Sequence, residues 1–160
     1  MSDLFQLLAD LKIDFERHDH PAFFTIDDSE AYLKEHPIPG AKAKSLFLRD
    51  RSGNQHYLVV IEGNKRLDMK ALGDTLNEKL SFASHERLMT HLKLTPGSVS
   101  PLALINDEAK HIKVLLDKDV FDQEQVQFHP LINTATLLLA PKDVLKFIEA
   151  TGHSYELVTL

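Results

Sequence analysis

Ala43-Lys44-Ser45-Leu46-Phe47-Leu48-Arg49, then Asp50-Arg51-Ser52-Gly53-Asn54, then His56-Tyr57-Leu58-Val59-Val60-Ile61 is the stretch that decides the fold. Two runs dominated by Leu, Phe, Tyr and Val flank a connection rich in turn formers, which is the pattern of a β-hairpin. Upstream the period changes to that of helices. Leu4, Leu7, Leu8 and Leu11 have helical spacing, and Asp3 stands where its carboxylate can accept from the free amides of the first turn. Phe15 to His20 reads as an extended segment ended by Pro21, and Thr25 to Glu35 as a second helix with acid near its start. His36-Pro37-Ile38-Pro39-Gly40 cannot continue that helix, because each proline lacks an amide donor and biases its predecessor to extended geometry.

Downstream of the hairpin, Asp68 caps a helix carrying Met69, Leu72 and Leu76, Lys79 to Ala83 reads as a strand, and Ser84 caps a helix running through Leu92. Strands are expected at Leu102 to Ile105, His111 to Asp117, Gln125 to Phe128 and Thr136 to Leu139. A helix opened by Pro141 runs to Ala150 and is stopped by Gly152, and Tyr155 to Val158 can return to the sheet. The expectation is one α+β domain over residues 1–160, a mixed and mostly antiparallel sheet flanked by helices. A chain of 160 residues is long enough for one self-sufficient core, and no linker-like run interrupts it.

Composition removes several function classes. Cys is absent, which excludes disulfides, thiolate metal sites and a cysteine nucleophile. There is no Gly-x-Ser-x-Gly elbow and no Walker or dinucleotide glycine pattern, so serine hydrolases of that type and ATP or NAD enzymes are disfavoured and no cofactor is expected. His18 and His20, two apart on an extended segment, would share a face but lack a third ligand at a recognisable spacing, so they read as a solvent-facing pair. His85 and His91, six apart on a helix, fall on different faces, and no metal is assigned. The acidic Met1-Ser2-Asp3 start and the lack of a long apolar run predict a cytoplasmic protein without membrane association. A net charge of −6 argues against a general nucleic-acid coat or DNA binding. Residues 42–70 nevertheless hold seven basic against three acidic side chains, which suits either solvated hairpin ends or a phosphate-facing patch.

Three places carry candidate chemistry. Thr95-Pro96-Gly97-Ser98-Val99-Ser100-Pro101 is either a structural turn or a loop presenting backbone amides to a carbonyl oxygen. Lys44 is either a cation facing phosphate or carbonyl oxygen, or a strand-end lysine in water. His129-Pro130 followed by Asn133-Thr134-Ala135-Thr136 is either a polar pocket edge or a turn in which Asn133 and Thr134 satisfy local backbone groups.

These segments, with Leu80-Ser81-Phe82-Ala83-Ser84, Phe128-His129-Pro130-Leu131, His20-Pro21 and Gly152-His153, resemble the YbaK and prolyl-tRNA synthetase editing-domain family, in its freestanding alanyl-tRNA(Pro) deacylase branch. The resemblance spans about residues 15–158. It implies an ester hydrolase acting in trans on the acceptor end of mischarged tRNA, with prolyl-tRNA synthetase an open partner and the oligomeric state unassigned. It implies a catalytic set of Lys44, Gly97, Ser98, Val99, Ser100 and Pro101. Phe23, Phe24, Thr25, Ser45, His129, Asn133 and Thr134 are implied at the substrate, and Arg49 and Lys79 at the tRNA stem. Ser45 departs from the asparagine frequent in this branch, which bears on substrate choice. Alternatives are deacylation of Ser, Thr or Cys esters, or a noncatalytic tRNA- or synthetase-binding module.

Overall fold

A computed structural model describes residues 3–23 and 26–160, with Ile26 described by its backbone alone. The hairpin forms as its sequence requires: β2 (Ala43–Arg49) pairs antiparallel with β3 (His56–Glu62) in the register Ser45↔Val60 and Arg49↔His56. Asp50 organises the turn. Its Oδ1 accepts from the amides of Gly53 (2.8 Å), Asn54 (3.1 Å) and Gln55 (3.3 Å), and Gly53 takes a φ of 76° that suits a residue without Cβ. Burial works against the Asp50 charge, but those amides and the Ser52 hydroxyl outweigh it and hold the carboxyl below its usual range.

Every residue from His56 to Ile61 is buried. Covered on both faces, β3 accepts a parallel neighbour, β5 (Lys113–Asp117), which pairs parallel with β8 (Tyr155–Val158). With β4 (Ser81–Phe82) on the outer edge of β2, the sheet order is β4-β2-β3-β5-β8. A second sheet of order β1-β7-β6 is antiparallel throughout, built from β1 (Phe15–Asp19), β7 (Ala135–Leu139) and β6 (Val126–Phe128). Phe47, Leu58 and Val60 join the main core with Phe128, Leu137, Leu139 and Phe147, whereas Leu48, Tyr57 and Val59 on the opposite face pack with Leu72.

The helices are α1 (Leu4–Asp10), α2 (Ile26–Glu35), α3 (Met69–Leu76), α4 (His85–Leu92), α5 (Lys118–Phe121) and α6 (Pro141–Ala150). Asp3, Asp68 and Ser84 cap α1, α3 and α4 by accepting from the amides of Gln6, Ala71 and Arg87. Two expectations are corrected. Pro101 to Asn106 is a 3-10 helix and not a strand: Pro101 opens it, Ser100 Oγ accepts from Leu102 N, and Leu102, Ala103 and Leu104 are all buried, so no period distinguishes its apolar run from a strand. The strand expected over Lys79 to Ala83 shrinks to two residues, and α5, at four residues, is too short to leave a period. No helix of the described residues is long and apolar enough to cross a membrane.

The two sheets meet along residues 38–43. Ala41 bridges Val126, with Ala41 N donating to Gln125 O (2.8 Å) and Gln127 N to Ala41 O (3.0 Å). Gln127 Nε2 donates to the carbonyls of Ile38 and Pro39, each at 2.9 Å. This satisfies the acceptors of a proline-broken segment that has no ladder of its own.

Candidate active site

A pocket of about 160 Å³ opens in that seam. Lys42, Ala43 and Ser45 come from the hairpin side, Gln127, Phe128, His129 and Thr136 from the three-stranded sheet, and Phe23, Ser29, Leu33, Ile38 and Val99 complete its lining. Strand alternation explains the hairpin contribution: Ala43 and Ser45 share one face of β2, so Lys44 between them belongs to the other.

The walls are fixed by buried polar contacts. His20 is buried and stacks on Phe23 with ring centroids 4.2 Å apart and planes 8° from parallel. Its Nδ1 lies 2.8 Å from Pro21 O and its Nε2 2.8 Å from Thr136 Oγ1. Because the carbonyl can only accept, Nδ1 is the donor, and Nε2 receives the threonine hydroxyl. His129 is held similarly, donating from Nδ1 to Ala135 O at 2.9 Å, which leaves the Nε2 lone pair unused by that bond. Burial pushes the His129 imidazole below its usual value and the neighbouring His20 adds to the shift, outweighing the bond to Ala135, so the ring is neutral at neutral pH.

The Gly97 to Pro101 loop is joined to this wall through Ser100. That side chain is fully buried; its Oγ donates to His129 O (2.8 Å) and accepts from Leu102 N (3.2 Å). Gly97 has a φ of 94°, and among the described residues a Cβ placed there would approach Phe23 O alone, at 3.8 Å. The amides of Gly97, Val99 and Ser100 make no hydrogen bond among the described residues, and Val99 reaches the pocket. A loop with unspent donors beside a polar cavity can receive a carbonyl oxygen that gains charge.

Of the expected site residues, Phe23, Ser45, Val99 and His129 line the pocket, with Gly97, Ser98, Ser100 and Pro101 in the loop behind it. Phe24 and Thr25 lie outside the described residues. Asn133 and Thr134 are not in the lining; Thr134 contributes its carbonyl, which accepts from His20 N at 2.9 Å. Lys44 donates from Nζ to the carbonyl of Lys65, outside the pocket. Arg49 lies at the opposite end of β2 and donates to the carbonyls of Asp50 (3.2 Å) and Arg51 (3.1 Å). Lys79 borders a wider groove of about 710 Å³ together with Arg51 and Lys70. His20 corrects the expectation of a solvent-facing histidine pair: it is buried with both ring nitrogens engaged. Thr136, read in the sequence as part of the polar edge with Asn133 and Thr134, and Lys42, read as the start of the basic patch, both line the pocket; Gln127 was not singled out by the sequence, since only the meeting of the two sheets brings it to the seam. Among the described residues, the one group of ligating side chains close enough to share a metal ion lies elsewhere, where α4 meets the starts of β3 and β5.

Comparison with known proteins agrees with this architecture. Residues 20–147 match the model of the aminoacyl-tRNA editing domain. Prolyl-tRNA editing protein ProX of Acetoanaerobium sticklandii is 39% identical over 154 residues, covering 96% of this chain and 93% of that protein. Prolyl-tRNA synthetase associated domain-containing protein 1 of Mus musculus is 34% identical, covering 95% and 91%. A solved structure described as a candidate trans-editing enzyme for prolyl tRNA synthetase superposes with a TM-score of 0.71 at 21% identity, covering 100% and 99%, and so shares the fold. The chain belongs to the aminoacyl-tRNA editing domain family and is an aminoacyl-tRNA deacylase.

Proposed function

We propose that this protein hydrolyses the ester between alanine and the terminal adenosine of proline tRNA, acting in trans on the mischarged product. The observation that carries the reading is the small seam pocket with the donor loop at its side. A cavity of this size holds about six non-hydrogen atoms, enough for the alanyl group and fewer than the whole prolyl group carries. Phe23, held flat against His20, is the wall on which such exclusion rests. Steric exclusion separates the two amino acids better than attraction does, since one methylene is worth only about 1–3 kcal/mol.

In the reaction, water attacks the ester carbonyl, the oxygen gains charge, and the Gly97, Val99 and Ser100 amides stabilise it, each such donor being worth about 100- to 1000-fold. Neutral His129 accepts a hydrogen bond at Nε2 and orients the substrate, and a hydroxyl of the terminal ribose assists in activating water. Lys42 at the pocket and Lys44 on the other face of β2 supply cations for the terminal phosphate; Lys44 does so by exchanging the Lys65 carbonyl for a phosphate oxygen, a stronger acceptor for an ammonium. Arg49 and Lys79 extend the cationic track toward the acceptor stem.

The test is deacylation of tRNA(Pro) charged separately with alanine, cysteine, serine and proline. Loss of alanine alone supports the assignment, loss of another amino acid reassigns the substrate, and failure to release any of them refutes it.

A further inference from the structure

Away from the pocket, three histidines from distant parts of the chain converge: His56 at the start of β3, His91 in the last turn of α4, and His111 just before β5. One ring nitrogen from each lies within 4.8 Å of the others. We propose that these three imidazoles form a binding site for a divalent transition metal ion of the Zn²⁺ class, clipping α4 to the neighbouring ends of β3 and β5.

The geometry is that of a partly assembled three-histidine site. With metal–nitrogen bonds of about 2.0–2.1 Å in tetrahedral arrangement, imidazole centroids fall about 5 Å apart. The observed separations are 4.9 Å for His91–His111, 5.4 Å for His56–His111 and 4.2 Å for His56–His91, so one ring has to shift slightly. His111 is oriented for the task. Its Nδ1 lies 3.3 Å from Asp107 Oδ1, which leaves Nε2 facing His56 Nδ1 at 3.2 Å. A carboxylate on the non-ligating nitrogen is the outer-shell contact that fixes a metal-binding histidine. Asp107 is itself immobilised, accepting at Oδ2 from His153 Nε2 (2.8 Å) and Ile112 N (3.1 Å). His56 is buried against Phe47, while His91 and His111 are half-buried and leave an approach from solvent. A donor set of imidazoles without carboxylate or thiolate favours Zn²⁺, Ni²⁺ or Cu²⁺ over Mg²⁺ and Ca²⁺.

Arg87 competes for the site. Its Nη1 lies 3.2 Å from His56 Nε2 and 3.0 Å from Gly53 O. A metal on His56 Nδ1 places the ring proton on Nε2, so the guanidinium gives up that contact and keeps the Gly53 carbonyl. Metal binding and the Arg87–His56 contact exclude one another, and the arginine lowers the affinity.

The full-length protein, without a histidine tag and stripped with chelator, is titrated with Co²⁺ and then Zn²⁺, followed by visible absorption and calorimetry. The site predicts one equivalent of Co²⁺ with the spectrum of a four-coordinate ion, displacement by Zn²⁺, and a Tm that rises with metal concentration. His91→Gln and His111→Gln each weaken binding by ~10-fold or more, and Arg87→Met tightens it, all with unchanged deacylation. Absence of Co²⁺ uptake by the folded protein, or wild-type affinity in both histidine variants, overturns the site. Unchanged affinity in Arg87→Met overturns the competition.

Discussion

Thr136→Val removes one oxygen and keeps the shape, which isolates the contact that holds the pocket wall. Thr136 is buried, and its hydroxyl lies 2.8 Å from His20 Nε2. Because His20 Nδ1 is engaged with the Pro21 carbonyl, the ring cannot turn to find another donor without breaking that bond as well. The variant leaves a buried acceptor unpaired, a cost of about 1–3 kcal/mol. Stability measured by urea denaturation therefore falls by about that amount through a lower midpoint at unchanged slope. The second effect is on selectivity: His20 carries Phe23, so a loosened imidazole widens the pocket and raises hydrolysis of Pro-tRNA(Pro) relative to Ala-tRNA(Pro). Thr136→Ser retains the hydroxyl and serves as the control, losing only a methyl group and keeping the wild-type selectivity. A Thr136→Val protein with wild-type stability and an unchanged ratio of the two activities would refute the reasoning.

Lys44→Ala is expected to remove most deacylation at saturating substrate, whereas Lys42→Ala, whose side chain is exposed at the pocket, raises KM with a smaller effect on kcat; steady-state kinetics of both separate the two roles. Arg49→Ala and Lys79→Ala each weaken tRNA binding and reduce the salt dependence by about one phosphate contact, read from affinity against salt concentration. Gly97→Ala puts a side chain on a backbone with a φ of 94°, so it costs about 1–2 kcal/mol and lowers kcat through the displaced amides. His129 binds its proton less readily folded than unfolded, so the unfolded chain takes up more protons as pH falls. Its contribution to stability is complete above pH 6.5 and is lost as pH drops through the lower folded value, and denaturation midpoints across that range show a weaker acid dependence in His129→Gln.

Much of the fold is legible locally. Asp3, Asp68 and Ser84 sit at helix starts because their side-chain oxygens accept from first-turn amides, and those bonds form where the residues predict them. Leu102 to Leu104 misleads because a fully buried apolar run has no exposed side to mark its period. The pocket is less legible than the strands that build it. Thr136 reads as part of a polar edge, but its partner His20 lies 116 residues away, and nothing near Gln127 marks it as a site residue, because the Ile38 and Pro39 carbonyls it meets lie about 90 residues away. The three clustered histidines are hidden for the same reason, whereas the pairs at close spacing, His18 with His20 and His85 with His91, make no joint site.

Lys44 shows where two lines of inference separate. A resemblance assigns a role to a position in a chain, and strand geometry assigns that position to a face. Here Ala43 and Ser45 face the pocket, and Lys44 between them does not. A lysine can still serve a site from the wrong face near a strand end, because its long stem lets the ammonium travel around the edge. Lys44 is the second residue of β2, next to the loop that supplies its carbonyl partner, so it sits where such travel is shortest. The same stem on Leu46 or Leu48, deeper in the strand and packed with Leu72 of α3, would be sealed in. The expected loss in Lys44→Ala therefore depends on the ammonium leaving the Lys65 carbonyl. A shorter cation that cannot make the journey, as in a Lys44 variant carrying 2,4-diaminobutyrate, should keep the charge and lose the activity.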